Sequence, residues 1–364
     1  MMSPLAISSG KMPLRDILIN LAAFVIIVAG IKAASSVVIL ILFSIFIVVL
    51  AAPFFLRMQE KGVPSFIALL ILVVGLVVVG TVGVHVLRIS LEDIVRNLPR
   101  YQENLQKQVG VILIWLESKG VETPDQMIRN ALAEKTPVRM LAEGITTATQ
   151  LLGRIFIVLL VAIFILLEAA ILPKKLRSIP GLSDDTYERT KLVIENVRKY
   201  IGMKTVMSAL TGVLVGGFLF LMGVDNPVLL GILAFLLNFI PNLGSIMAGV
   251  PGVLLAFIEF GLGRATVVGV GYVVINIFVS NFIEPRYMGR GLGLSPMVIV
   301  ITLIFWAWVL GPLGMLLSVP LTMALKIAME SLPETRGIAL LMSSHPEQGE
   351  AMEATLDQDP GIKS

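Results

Sequence analysis

Two stretches of this chain set amides and charges where hydrophobic side chains would be expected. The first is Leu237-Asn-Phe-Ile-Pro-Asn-Leu-Gly-Ser245, inside an apolar run from Pro227 to Phe260. Proline removes a backbone donor and clashes with the preceding turn, and glycine adds a flexible point. A helix broken there would offer free carbonyls on one side and free N–H groups on the other. They would lie beside Asn238 and Asn242, whose amides both donate and accept. Together with Pro241, Gly244 and Ser245, that chemistry suits a neutral polyol or a carboxylate-like group. The competing reading is a kink satisfied by neighbouring helices.

The second stretch contains Asn276 and then runs Asn281-Phe-Ile-Glu-Pro-Arg-Tyr-Met-Gly-Arg-Gly-Leu-Gly-Leu-Ser-Pro296. Glu284 and Arg286 stand two residues apart across a proline at the end of a span. Ionisable groups near a membrane are costly and default to functional candidates, although a Glu–Arg pair locking a loop reads equally well. The residues placed against a substrate are therefore Asn238, Pro241, Asn242, Ser245, Asn276, Asn281, Glu284 and Arg286. Glu168, Glu259 and Glu330 each fall near an expected interface, where lipid headgroups would solvate them. Nothing pairs a nucleophile with a base, and no Walker-type loop is present. The chain has no cysteine, and its two histidines, His85 and His345, are far apart. The sequence thus argues against an enzyme and a His or Cys metal site, and it calls for no cofactor.

The elements that must hold these residues are membrane helices. The 364 residues are 56% hydrophobic and 15% charged, with a mean hydropathy of +0.92; soluble domains carry roughly 25% charged residues. Several apolar runs reach the ~18–20 residues that cross a bilayer. The net charge of +3 is small, and the basic residues cluster beside the spans as topology determinants, not as a nucleic-acid surface. Expected spans are 17–31 (a retained first span, preferred over a signal peptide), 37–56, 65–87 and 151–172, then 206–222, the broken run, 266–283 and 297–329. Gly75, Gly80 and Gly83, and later Gly212, Gly216 and Gly217, permit close helix packing. Between the third and fourth spans, Leu91, Ile94, Val95, Leu98, Tyr101, Leu105, Val109, Ile112 and Leu116 follow helical spacing. They predict an amphipathic helix kinked at Pro99. A second helix should start at Thr123-Pro-Asp-Gln126, and the whole insert reads as a lid or spacer.

The fold class is therefore an all-α polytopic membrane protein of about eight transmembrane helices. Broken or re-entrant helices lie in its C-terminal half, and an amphipathic helical insert follows the third span. Its expected parts are the first three spans (1–87), the insert (88–150), the fourth span with a basic segment (151–204), a transport core (205–331) and a polar, disordered tail (332–364). The basic segment belongs in the cytoplasm, which puts both termini there and the insert outside. Counting the broken run as one crossing puts Arg264, Lys326 and Arg336 inside and Arg286 and Arg290 outside. A re-entrant hairpin would invert everything after it. Residues 297–329 contain a second candidate break at Gly311-Pro312, Gly314 and Pro320.

These motifs, with Trp308-Val-Leu-Gly-Pro-Leu-Gly-Met-Leu-Leu-Ser-Val-Pro320, resemble the AI-2E family of bacterial permeases. The similarity is densest over Lys204–Glu330, and the order of spans agrees across nearly the whole chain. The resemblance implies an inner-membrane, multi-pass permease that exports autoinducer-2, a furanone polyol, without ATP hydrolysis. It also implies a ring-like homo-oligomer, a pentamer, with an elevator-type movement of one part against another. The partners are then the substrate, the bilayer and further copies of the chain, with no nucleic acid. Some relatives are similar to sodium(lithium)/proton antiporters, which is the alternative function, with Glu284 and Glu168 as carriers. A non-transporting membrane scaffold is the third reading.

Overall fold

A computed structural model describes residues 14–119, 156–168, 184–241, 243–288, 294–330 and 335–344, and every regular element among them is a helix. The expected helix at Thr123, most of the basic segment before residue 184, Asn242, Arg290 and the tail beyond residue 344 lie outside this set.

The first two spans, α1 (Leu14–Ala33) and α2 (Ser35–Glu60), are joined only by Ala34. The third, α3 (Ser65–Ser118), is one helix of 54 residues that passes through Pro99 without ending. At 1.5 Å per residue it is about 80 Å long, more than twice the ~30 Å hydrocarbon layer. The span and the first insert helix are therefore continuous. Against α2 and α3 packs α4 (Phe156–Glu168), its Leu159 filling the space that Gly80 leaves open. Ser44 of α2 donates to the Val158 carbonyl at 3.0 Å. The next helix, α5 (Asp184–Met222), likewise joins the end of the basic segment to the fifth span in one helix.

The broken run folds back on itself. After Asn226, in a left-handed conformation (φ 56°), α6 (Pro227–Leu237) starts with proline at its first position, where the missing N–H is not needed. A turn at 238–241 leads into the reversed α7 (Leu243–Phe260). The two ends of this run meet, because the Asp225 N–H donates to Glu259 Oε2 at 3.2 Å. Gly261 (φ 81°) then turns the chain into α8 (Leu262–Ile277), which continues through a π-helical stretch (Phe278–Ile283) into α9 (Glu284–Met288).

Contacts along α5 fix which ends of α5 and α8 lie together. Lys204 and Met222 stand ~27 Å apart along α5. Arg264 bonds the Met222 carbonyl (3.5 Å), whereas Glu284 bonds Lys204 (2.9 Å). Arg264 thus lies at the Met222 end of α5 and Glu284 at the Lys204 end, the arrangement that the re-entrant alternative calls for.

The last long helix, α10 (Pro296–Glu330), is also folded, at Gly311 (φ 69°, ψ −156°). Only glycine adopts that conformation cheaply, and Pro312 follows at the start of the second arm. The arms lie side by side, with Trp306 Nε1 donating to Thr322 Oγ1 at 3.2 Å. At the open end, Ser295 N–H bonds the Met342 carbonyl (2.9 Å) after the short α11 (Arg336–Leu341). Near the apex, Lys32 Nζ stands 3.8 Å from the centre of the Trp308 ring.

Two principal cores hold the site. One joins Ile94, Tyr101 and Leu105 of α3 to α5, α6, α7 and α8 through Leu219, Leu230, Leu255 and Val268. Those α3 residues belong to the amphipathic stripe, whose apolar face is therefore docked on the hairpin. The other core joins Phe46 of α2 and Tyr200 and Ile201 of α5 to α10 and to the hairpin tip, Phe239 and Ile240. Among the described residues six helices are long and apolar enough to cross a membrane, and three shorter ones are apolar. Their outer faces are hydrophobic too: α1 exposes Leu18, Phe24, Ile26 and Ile27, the pattern of a surface facing lipid.

Candidate functional site

The turn between α6 and α7 consumes most of the backbone groups that the proline break releases. Asn238 N–H donates to Ala234 O (3.0 Å), Ile240 N–H to Leu237 O (2.8 Å), Leu243 N–H to Pro241 O (2.6 Å) and Gly244 N–H to Ile240 O (3.2 Å). The turn is tight enough that a Cβ on Gly244 would overlap the Leu237 carbonyl. Free carbonyls and N–H groups, expected as the ligand-binding chemistry, are therefore largely spent on the turn itself. What remains for a ligand is side chains.

Asn238 is buried, and its Nδ2 donates to Ser208 Oγ of α5 at 3.0 Å. It lines a cavity with Thr211 and Val215 of α5, Ala234 of α6, Ser245 and Ala248 of α7, and Tyr272 and Asn276 of α8. Helices α5 and α6 approach closely here because Gly212 and Gly231 face each other; a Cβ on Gly212 would lie 2.7 Å from the Gly231 carbonyl oxygen. Gly217, singled out with Gly212 in the sequence, meets nothing within 4 Å.

The polar atoms around the cavity are neutral. Thr211 Oγ1 donates to the Met207 carbonyl (3.0 Å), and Asn276 Oδ1 accepts from Ser280 Oγ at 3.5 Å. The Tyr272 hydroxyl is buried and has no hydrogen-bond partner. A buried hydroxyl without a partner costs about 1–3 kcal/mol, which a ligand atom or a water would relieve. No charged side chain lines the cavity, so a charged ligand would enter without compensation, at a high desolvation cost. The cavity volume is ≈ 10 Å³, room for about one water molecule. The site is closed.

The other predicted residues are dispersed. Pro241 is half-buried at the hairpin tip, Asn281 and Arg286 are exposed, and Asn242 lies outside the described residues. Glu284 pairs with Lys204 at 2.9 Å, their side chains 15% and 9% exposed. It does not pair with Arg286, since residues two apart on a helix point to different faces. Sequence reasoning missed Ser208, Thr211 and Tyr272. The signal available was Ser208 and Thr211 at i, i+3 on one helix face, beside Gly212.

The carboxylates expected at interfaces also divide. Glu168 is exposed, and Glu330 pairs with Lys326 at 3.1 Å. Glu259 departs from expectation: its side chain is 3% exposed. It belongs to a polar cluster that fastens α3 to the open end of the hairpin. There Arg100 Nη2 and the Tyr101 hydroxyl each lie 2.9 Å from Asp225 Oδ2, and Asn226 Nδ2 donates to Asp93 Oδ2 at 3.0 Å.

Known proteins place this geometry in context. The model of the AI-2E family transporter matches residues 21–334. The AI-2 transport protein TqsA of Escherichia coli (strain K12) is 33% identical over 327 residues, covering 90% of this chain and 95% of its own length. Two further relatives carry the description "Putative transport protein". The one from Haemophilus influenzae is 34% identical over 339 residues, covering 90% of this chain and 96% of its own. The other, YhhT of Escherichia coli (strain K12), is 31% identical over 327 residues, covering 90% and 93%.

Proposed function

Because the chain belongs to the AI-2E transporter family, a bacterial inner-membrane, multi-pass secondary transporter and not an enzyme, we propose that it exports autoinducer-2 through the cavity beneath the α6–α7 turn. The observation that carries this reading is the lining. Asn238, Ser245, Asn276, Thr211 and Tyr272 supply amides and hydroxyls with no charge among them, the set that a neutral polyol requires. The similarity to TqsA, an AI-2 transport protein, points the same way.

With the basic segment cytoplasmic, α1, α2, the first half of α3, α4, α5 and the α8–α9 unit each cross the membrane. The α6–α7 hairpin enters from outside and the folded α10 from the cytoplasm, so both termini are cytoplasmic. Re-entrant backbone at this depth is tolerated because it is buried in protein. A cavity that admits one water cannot hold a furanone polyol, so one body must move. The two principal cores define the parts: α3's outer half with α6, α7 and α8 on one side, α2 with α10 on the other, and α5 running through both. Their sliding is an elevator-type alternating access. A homo-oligomer, a pentameric ring, belongs to the same reading.

The sodium(lithium)/proton antiporter reading took Glu284 and Glu168 as carriers; Glu284 is paired with Lys204, and neither residue lines the cavity. The test is autoinducer-2 flux in vesicles carrying the purified protein. Wild type transports and a folded Asn238→Ala variant does not. Wild-type flux in Asn238→Ala would overturn the site, and a pH gradient collapsed by sodium or lithium without autoinducer-2 movement would overturn the substrate.

A further inference from the structure

The open end of the hairpin holds a carboxylate that the substrate cavity does not use. Glu259 sits in the last turn of α7, its side chain 3% exposed. Its Oε2 accepts the Asp225 N–H at 3.2 Å, while its Oε1 is buried with no hydrogen-bond partner. The nearest cation, Arg100, stands 4.0 Å from that oxygen and is engaged with Asp225 Oδ2 at 2.9 Å. Tyr101 gives its hydroxyl proton to the same Asp225 oxygen. The other charged groups packed here are already committed. Asp93 of α3 accepts from Asn226, and Arg264 of α8 lies over the Phe260 ring and bonds the Met222 carbonyl.

The Asp225 and Glu259 carboxylates converge on one guanidinium nitrogen, Arg100 Nη2, which is 2.9 Å from Asp225 Oδ2 and 4.0 Å from Glu259 Oε1. Two carboxylates in that arrangement repel, and only a protonated one is a donor. A metal cation would need several oxygen ligands and would face the Arg100 charge. A proton needs one oxygen. The same helix, α7, carries Ser245 and Ala248 of the cavity at its other end, so a change in the charge of Glu259 acts on an element that forms the substrate site.

We propose that Glu259, facing Asp225, is a proton-binding site, and that the proton coupled to substrate movement is taken up there. This rests on the chain being a transporter and not on which substrate it carries. Infrared difference spectroscopy of the full-length protein in membranes, with no substrate, reads the site directly. Wild type shows a protonated-carboxyl C=O band whose amplitude follows pH. Glu259→Gln loses it, and Asp225→Asn, which keeps Glu259, displaces its midpoint by about one pH unit or more. A band unchanged in both variants overturns the site. In vesicles under an imposed pH gradient, the wild-type flux depends on the gradient and Glu259→Gln loses that dependence; full dependence in the variant overturns the coupling role. Absence of autoinducer-2 flux in wild type, with the infrared band intact, would instead overturn the substrate reading alone.

Discussion

Breaking the Lys204–Glu284 pair tests whether the two ends of the α8–α9 unit are anchored as described. The charges stand 2.9 Å apart with side chains 9% and 15% exposed. At an effective dielectric of ~20 their attraction is about 6 kcal/mol. Withdrawing two ions from water costs several kcal/mol each, so the intact pair comes close to cancelling. Removing one partner forfeits the attraction and leaves the other charge buried. Lys204→Met and Glu284→Gln should therefore each destabilise the protein by about 3–5 kcal/mol, whereas the double variant should lie within about 1 kcal/mol of wild type. Unfolding of the purified protein in detergent, arranged as a double-mutant cycle, reads this as a coupling of about 5 kcal/mol or more. If the two single costs simply add, Glu284 is not held by Lys204. Its partner would then have to be sought elsewhere, with Arg286 or a substrate the first candidates.

Four further outcomes follow from the fold and its cavity. Gly244→Ala drives a methyl into the Leu237 carbonyl, a backbone atom that cannot turn aside, and should cost about 3 kcal/mol or more. Gly217→Ala, with nothing within 4 Å, should leave the folded yield on gel filtration unchanged. Tyr272→Phe deletes a buried hydroxyl that has no partner, so thermal stability should hold or rise by about 1 kcal/mol while autoinducer-2 flux falls; unchanged flux would remove Tyr272 from the substrate's path. Because the chain has no cysteine, single cysteines report sidedness. Arg286→Cys should react from the same side as Lys61→Cys and Arg264→Cys from the opposite side. Labelling of Lys61→Cys and Arg286→Cys from opposite faces would mean that the α6–α7 run crosses the membrane.

Much of the molecule was legible before folding was considered, because a bilayer imposes simple local rules. Apolar runs of spanning length marked the helices, and the positive charges before Lys204 marked an end of the bundle. Pro241 and Gly244 marked the reversal that separates α6 from α7, and the stripe containing Ile94, Tyr101 and Leu105 marked the face of α3 that packs on the hairpin. Three of the eight proposed site residues, Asn238, Ser245 and Asn276, line one cavity, since each lies on or at the end of a helix whose existence the hydropathy already implied.

Whether the broken run crossed or returned depended on where its ends went, and hydropathy is blind to direction. The Asp225–Glu259 contact and the packing of Leu230 against Leu255 close the hairpin, and they bring Arg264 to the Met222 end of α5. Partners distant in sequence were equally hidden. Lys204 meets Glu284 and Ser208 meets Asn238 because α5 runs beside both the hairpin and the α8–α9 unit, whereas Glu284 and Arg286, neighbours in sequence, are turned apart by the helix that contains them. The same packing buries Glu259, which its position near the end of an apolar run had suggested would be solvated. In a membrane protein, local composition determines which segments are helices, and the contacts among those helices decide which polar groups end up without water.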